Sequence, residues 1–163
     1  MNADIHWLHD MPAGRLAILG RPRSGDWLAG EIAQWKAAGL TEPVSLLEEH
    51  EVLELGLQQE GALVEQLGMR FTRFAIPDRG VPASPALALG LWDRLAAALR
   101  EGAAVGVHCR ASIGRAGLTV AGILMRLGVP EEAAWQRASK TRGLSVPDTD
   151  EQREWLSRAC RTP

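Results

Sequence analysis

The segment that most restricts the fold begins with the apolar run Ala103 to Val107. This run meets His108-Cys109-Arg110-Ala111-Ser112-Ile113-Gly114-Arg115 and passes at once into a helical pattern. The run reads as a short buried strand. Leu118, Ala121 and Met125 then recur on one helical face until Gly128 and Pro130 stop it. The same alternation is written elsewhere. Arg15 to Leu19 reads as a core strand closed by Gly20-Arg21-Pro22-Arg23-Ser24-Gly25, and Trp27, Leu28, Ile32 and Trp35 approximate a helical face that ends near Gly39. Val44 to Leu47 predicts a second strand, leucine-rich segments at Val52 to Leu57 and Gly61 to Leu67 predict helices, and Met69 to Ile76 predicts a further strand. Ser84-Pro85 supplies an N-cap and first-turn proline to a helix striped by Leu87, Leu91, Leu95 and Leu99. Shorter helices are expected at Pro130 to Lys140 and Asp148 to Ala159. Strands alternating with helices across short loops specify an α/β class, a three-layer α/β/α sandwich around a mostly parallel sheet, rather than a bundle or barrel.

Composition sets the scale. With 163 residues, 46% of them hydrophobic, the chain buries one sizeable core and is expected to form one domain over 1–163. Its net charge of −2 gives no global cationic field, so a nucleic-acid partner is not expected, while a local anion site is compatible with it. Two cysteines, Cys109 and Cys160, are too few for a disulfide scaffold. The opening residues lack the basic region and apolar run of a signal peptide, so a reducing cytoplasm is the expected compartment. No stretch approaches the roughly twenty apolar residues that span a bilayer, and no Cys/His cluster has zinc spacing. Neither a metal nor an organic cofactor is expected, and the chain is expected to act as a monomer.

A strand that turns into a helix through Cys109 to Arg115 is an anion-binding geometry. The helix start favours negative charge, small residues and Gly114 let backbone N–H groups curl inward, and Arg115 can return over them as a planar donor. The same surroundings favour a thiolate at Cys109 over a thiol. On its own Cys109 reads as a core cysteine. His108 before it and Arg115 after it turn the reading toward anion chemistry. A nucleotide P-loop is disfavoured, since this loop offers cysteine and arginine where that motif ends in Gly-Lys-Ser/Thr.

His108, Cys109 and Arg115, with five residues between cysteine and arginine, resemble the signature of the cysteine-dependent protein phosphatases, specifically the small dual-specificity group and its kinase-associated relatives. The similarity in order and spacing runs from about Leu16 to Leu156. It implies a cysteine-phosphatase-like fold, Cys109 as nucleophile, and a phosphate-binding loop of Arg110, Ala111, Ser112, Ile113, Gly114 and Arg115. Two departures stand out. Serine occupies position 112 where the family usually has glycine, and alanine occupies position 116 where a serine or threonine helps the thiolate leave. The resemblance also makes Asp78, in Ile76-Pro77-Asp78-Arg79-Gly80 and 31 positions before Cys109, the general acid. Without the downstream motif it would read as a turn aspartate. Asp93 belongs to a regular helix and suits that role less.

Supporting roles follow from the same resemblance. His108 would tune the cysteine and its loop, or simply be a satisfied core histidine. Gln152 would orient water, unless it is an ordinary helix glutamine. Arg142 would support the cradle or touch substrate, with a solvated arginine as the alternative. Arg79, Arg21 and Arg23 are further basic residues with which a phosphoprotein could engage. The expected activity is hydrolysis of phosphomonoesters through a phosphocysteine, with phosphotyrosine first and phosphoserine or phosphothreonine also in view, on a phosphorylated protein or peptide. Two other readings stand beside it: a rhodanese-like sulfurtransferase, and a phosphoprotein-binding module that has lost turnover, to which Ser112 and Ala116 lend weight.

Overall fold

The computed structural model describes residues 4–161, so residues 1–3 and 162–163 of the expected domain lie outside it. Five strands form one sheet: β1 (Ile5–Trp7), β2 (Arg15–Leu19), β3 (Glu42–Ser45), β4 (Thr72–Arg73) and β5 (Ala104–His108), in the spatial order β1-β2-β5-β3-β4. Only β1 runs antiparallel, so the sheet is mostly parallel as expected. Seven helices cover it: α1 (Leu28–Ala37), α2 (Glu49–Glu54), α3 (Glu60–Gln66), α4 (Pro85–Arg100), α5 (Gly114–Arg126), α6 (Glu131–Arg142) and α7 (Asp150–Arg161).

The period of two along β2 divides the core. Leu16 and Ile18 face the side packed by α4 to α7, while Ala17 and Leu19 face Ile32 and Trp35 of α1 and Val64 of α3. With both faces covered, the central strands read as continuous apolar runs, which is why they were legible. Helix α5 is the middle of the larger layer and is buried without interruption from Gly114 to Leu124. Gly122 permits that: a Cβ there would lie 2.4 Å from a Trp92 ring carbon on α4.

Several expected elements shift. The edge strand β1 gives no sequence signal at three residues. Strand β3 begins two residues before the expected Val44, because Glu42 is neutralised in place: Arg94 of α4 donates two hydrogen bonds to it, and the Thr72 hydroxyl donates a third. The expected strand Met69 to Ile76 contracts to Thr72–Arg73, although the Phe74 and Ile76 amides still donate to the Ser45 and Leu46 carbonyls. Trp27 lies in a 3-10 turn (Gly25–Trp27) before α1 and is 57% exposed, not on the buried face. Ser84 caps α4, its Oγ accepting the Leu87 N–H at 3.2 Å. The Leu87 side chain is 67% exposed, and the inward face is Ala88, Trp92, Leu95, Ala96 and Leu99. An i+4 series precesses about 40° per step on a 3.6-residue helix, so a strict stripe of four leucines cannot stay on one face.

Candidate active site

Strand β5 sits at the centre of the sheet, and its carboxyl end delivers His108 and Cys109 to the start of α5. Alternation sends the two side chains to opposite faces. Cys109 continues the Val105, Val107 row and lies at the edge of the larger core, 3% exposed. It lines a cavity of about 190 Å³ with Asp78, Arg79, Arg110, Gly114, Arg115 and Asp148. The first-turn N–H groups of α5, which have no intrahelical acceptors, begin at this cavity. Gly114 lets Gln152 and Asp148 close in on the helix start, since a Cβ there would lie 2.9 Å from the Gln152 carboxamide oxygen and 3.0 Å from Asp148 Cβ.

Arg115 does not hang free over the loop. Its guanidinium is buried, with Nη1 donating to Glu51 Oε1 at 2.6 Å and to the Ile76 carbonyl at 2.9 Å, and Nη2 donating to Glu51 Oε2 at 2.9 Å and Asp78 Oδ1 at 3.1 Å. Burial works against its charge, but the Glu51 hydrogen bonds and the negative charges of Cys109, Glu51 and Asp78 outweigh it and push its pKa upward. For Glu51, burial again opposes ionisation. The Arg115 hydrogen bonds, the Glu48 N–H and the charges of Arg115 and Arg110 hold its carboxyl below the ordinary range. Glu51 also closes the first turn of α2 by accepting the Glu48 N–H at 3.0 Å. One carboxylate thus caps a helix and fixes the plane of the arginine.

On the opposite face His108 is fully buried, its Nε2 2.6 Å from Glu60 Oε2 and its Nδ1 3.3 Å from the Cys109 carbonyl. Burial alone would lower its pKa, but the charge and hydrogen bond of Glu60 and the Cys109 carbonyl raise it despite an opposing push from Arg21. The imidazole thus lies one residue behind the cysteine, fixed between the Glu60 carboxylate and the Cys109 carbonyl.

Ser112 takes φ 57°, the left-handed region that glycine enters freely. Its hydroxyl donates to the Leu19 carbonyl at the end of β2, and it accepts the Cys109 N–H at 3.4 Å. The serine therefore ties the loop to the sheet where glycine would leave it looser. Arg142 donates to the Ser112 carbonyl at 3.0 Å and to the Ala111 carbonyl at 3.2 Å, bracing the loop from its outer side. Gln152 is buried. Its side-chain N–H donates to the Gly80 carbonyl at 2.9 Å, and its oxygen accepts the Asp148 and Thr149 N–H groups at 3.1 and 3.3 Å. It spans from the turn that holds Asp78 to the start of α7. That turn is closed by the Gly80 N–H donating to the Pro77 carbonyl at 2.8 Å. Asp93 faces away from the cavity in a pair with Arg126, and Cys160 is a partly buried free thiol beside the larger core, its pKa raised by burial.

Of the sequence-predicted residues, Cys109, Asp78, Arg79, Arg110, Ala111, Gly114 and Arg115 line one cavity and Ser112, Arg142 and Gln152 brace its walls, whereas His108 is buried behind it, Ile113 packs against the larger core, and Arg21 and Arg23 line a neighbouring cavity. Sequence reasoning missed Glu51, Glu60 and Asp148. Glu51 stands in the acidic Glu48-Glu49-His50-Glu51 run and Glu60 follows two glutamines, so neither carries a local signal, and only their burial at 1% and 2% sets them apart.

A mostly parallel sheet flanked by helices, with a cysteine-to-arginine loop joining the central strand to a buried helix, is the architecture of the dual-specificity class of cysteine-based phosphatases. The chain belongs to the family described as polymorphic toxin system, DSP-PTPase phosphatase (Tc-R-P), whose model matches residues 23–129. Solved structures agree on the fold. A kinase associated phosphatase, in a variant with its catalytic-site cysteine changed to serine, aligns with TM-score 0.86 at 19% identity, covering 96% of this chain and 93% of that one. Tk-PTP in its active form aligns with TM-score 0.76 at 25% identity, covering 92% and 94%. PTPMT1, solved in complex with PI(5)P, aligns with TM-score 0.72 at 19% identity, covering 90% of each chain. No curated protein matches the sequence. Among the described residues no helix is long and apolar enough to cross a membrane, and no group of three or more His, Cys, Asp or Glu side chains could hold a metal ion.

Proposed function

We propose that this phosphatase hydrolyses phosphomonoesters on proteins through a phosphocysteine, with Cys109 as nucleophile, Arg115 and the loop amides holding the transferring phosphoryl oxygens, and Asp78 as general acid. The observation that carries the reading is the convergence of three groups on one cavity of about 190 Å³: a cysteine at a helix start, a buried arginine in a fixed plane, and an exposed aspartate hydrogen-bonded to that arginine. In the first step the Cys109 sulfur attacks phosphorus, the S–P bond forms as the ester P–O bond breaks, and Asp78 gives its proton to the leaving oxygen. In the second, water attacks the phosphocysteine, Asp78 accepts a proton from it, and the thiolate departs. Ala116, fully buried and without a hydroxyl, offers no donor to that departing thiolate, so the second step is slow and the intermediate accumulates. The Gln152 carboxamide holds the acid turn rather than lying open to solvent, so its contribution is to keep Asp78 over the cavity.

No aromatic side chain lines the cavity among the described residues, which favours admitting phosphoserine and phosphothreonine alongside phosphotyrosine. The protein is read as one catalytic domain acting as a monomer in a reducing compartment, where Cys109 and Cys160 remain free thiols. Turnover of para-nitrophenyl phosphate and phosphopeptides tests the reaction. Cys109→Ser should abolish it while leaving phosphate-analogue binding measurable. Rapid acid quench of the wild type should trap one phosphoryl group on Cys109. Asp78→Asn should slow alkyl esters far more than activated aryl esters, whereas Asp148→Asn, which alters the other carboxylate at the cavity, should not change that ratio. Turnover by Cys109→Ser equal to wild type, or cyanide sulfuration from thiosulfate with no phosphate release, would refute the reading. Since the family is described as part of polymorphic toxin systems, growth of a host expressing wild type against Cys109→Ser is a second readout.

A further inference from the structure

Two further cavities follow on from the Cys109 cavity, each sharing lining residues with the one before, and together they form a trough of adjoining cavities. Arg110 and Ala111 line both the Cys109 cavity and a second one of about 370 Å³, into which Arg21, Arg23 and Arg142 converge. Arg23 and Glu31 are shared in turn with a third cavity of about 370 Å³ that reaches Trp27. The loop after β2, punctuated by glycine and proline, therefore runs alongside the phosphate loop and extends the site in one direction.

The charges along this trough are unevenly matched. Glu31 is engaged by Arg23, whose Nε donates to it at 2.9 Å, and the exposed Asp4 lies 3.0 Å from His6 Nε2. Arg110 reaches Glu54 at 3.4 Å, and Arg142 is held on the Ala111 and Ser112 carbonyls. Arg21 is exposed. Its guanidinium donates to the Arg110 carbonyl at 3.4 Å, and no carboxylate among the described residues forms a salt bridge with it. The second cavity thus combines four arginines with two carboxylates, of which Glu31 is held by Arg23, directly beside the loop that would hold the scissile phosphate.

We propose that this trough is a subsite for an extended phosphopeptide, in which Arg21, with Arg142 and Arg110 at its border, takes a second anionic side chain lying close in sequence to the scissile phosphoresidue. The inference rests on the protein-phosphatase reading above and adds a preference to it. Its shape favours a peptide, because three cavities in series suit a strand advancing about 3.3 Å per residue. Its charge does so too: Asp26 and Glu31 outnumber the single arginine, Arg23, at the far end, where an anionic membrane surface would be repelled. At that end Trp27 is 57% exposed with the Arg23 guanidinium 5.0 Å over its ring, a platform for an apolar residue next to the acidic one.

The test pairs binding with turnover. Affinities of Cys109→Ser for a phosphotyrosyl peptide, the same peptide with phosphoserine or glutamate one to three positions away, and soluble inositol mono- and bisphosphates are compared by fluorescence anisotropy, with and without Arg21→Ala or Arg21→Glu. A charge-assisted hydrogen bond to a second anion corresponds to about tenfold in affinity, so the doubly anionic peptide should bind about tenfold tighter than the singly anionic one. Arg21→Ala should erase most of that ratio, Arg21→Glu should invert it, and Arg21→Lys should restore part of it. The ratio should also shrink as salt rises. The same ratio in kcat/KM is read on the otherwise wild-type enzyme. An unchanged ratio in Arg21→Ala and Arg21→Glu would overturn the proposal, as would discrimination confined to the inositol phosphates. Discrimination in binding without turnover of any phosphomonoester would uphold the subsite and refute the catalytic reading.

Discussion

Replacing Glu51 with glutamine tests whether the buried carboxylate, and not the phosphate loop alone, holds the arginine. Both side chains of the Glu51–Arg115 pair are 1% exposed, and two hydrogen bonds of 2.6 and 2.9 Å join them. Breaking a buried pair by neutralising one partner typically costs about 3–5 kcal/mol, because the other charge is left uncompensated. Here glutamine preserves the volume and one acceptor, and Arg115 keeps the Ile76 carbonyl and Asp78. The expected loss is therefore at the lower end, about 3 kcal/mol, against a total stability on the order of 5–15 kcal/mol. Urea unfolding near pH 7 would show it as a lower midpoint at unchanged slope, and a thermal scan as a fall of roughly 6–12 °C for a chain of this size. The sign of the pH dependence follows from Glu51 ionising more readily when folded. Its stabilisation is fully present above the ordinary glutamate value of 4.5 and is lost as pH falls through the lower folded value. Wild type and Glu51→Gln should therefore converge in acid. Inorganic phosphate should also stabilise the variant more than the wild type, because it returns an anion to Arg115. A difference under about 1 kcal/mol near neutrality, or a gap that persists unchanged at acid pH, would refute the reasoning.

Three further outcomes are expected. At position 112, Ser112→Gly loses the hydrogen bond to the Leu19 carbonyl but gains relief from φ 57°, and so stays within about 1 kcal/mol of wild type, whereas Ser112→Ala loses the bond without the relief and falls about 1–2 kcal/mol below Ser112→Gly in urea unfolding. Glu60→Gln removes the partner that raises the His108 pKa. The stability gap from wild type should be full below 6.5, on the order of 3 kcal/mol, and close as pH rises through the folded value. Gly122→Ala forces a Cβ against Trp92 where the spacing is 2.4 Å, and should cost about 1–3 kcal/mol with a change in the near-ultraviolet tryptophan signal.

How far the molecule could be read from its sequence follows from the range of the forces involved. Strands β2 and β5 were visible because a central parallel strand is apolar on both faces. Helix α4 announced itself through the Ser84 cap and Pro85. The loop from Cys109 to Arg115 was visible because cysteine, glycine and arginine at fixed spacing within one turn of chain carry its geometry. Glu42 was hidden because a Glu-Pro pair reads as loop until Arg94, 52 positions away, neutralises it. Glu51 and Glu60 were hidden for the same reason, meeting Arg115 and His108 across 64 and 48 positions. Pairings of this kind leave no local period. Arg21 and Arg23 were noticed as basic residues, but only the fold lays their loop beside Arg110.

The two braces supplied by Arg142 and Gln152 bear on how such a domain can be cut and recombined. The span shared with the family ends at residue 129 and already contains Asp78, Cys109 and Arg115. Both braces come from beyond it, on α6 and α7, and grip the Cys109–Arg115 loop and the Asp78 turn through carbonyl oxygens that any residue provides. The downstream helices therefore act as a clasp with two demands on their sequence: an apolar face, where Trp135, Ala138, Trp155 and Leu156 join the larger core, and one guanidinium and one carboxamide that reach backbone at the right places. A fragment limited to the shared span keeps Asp78, Cys109 and Arg115 but loses both braces and the apolar faces of α6 and α7.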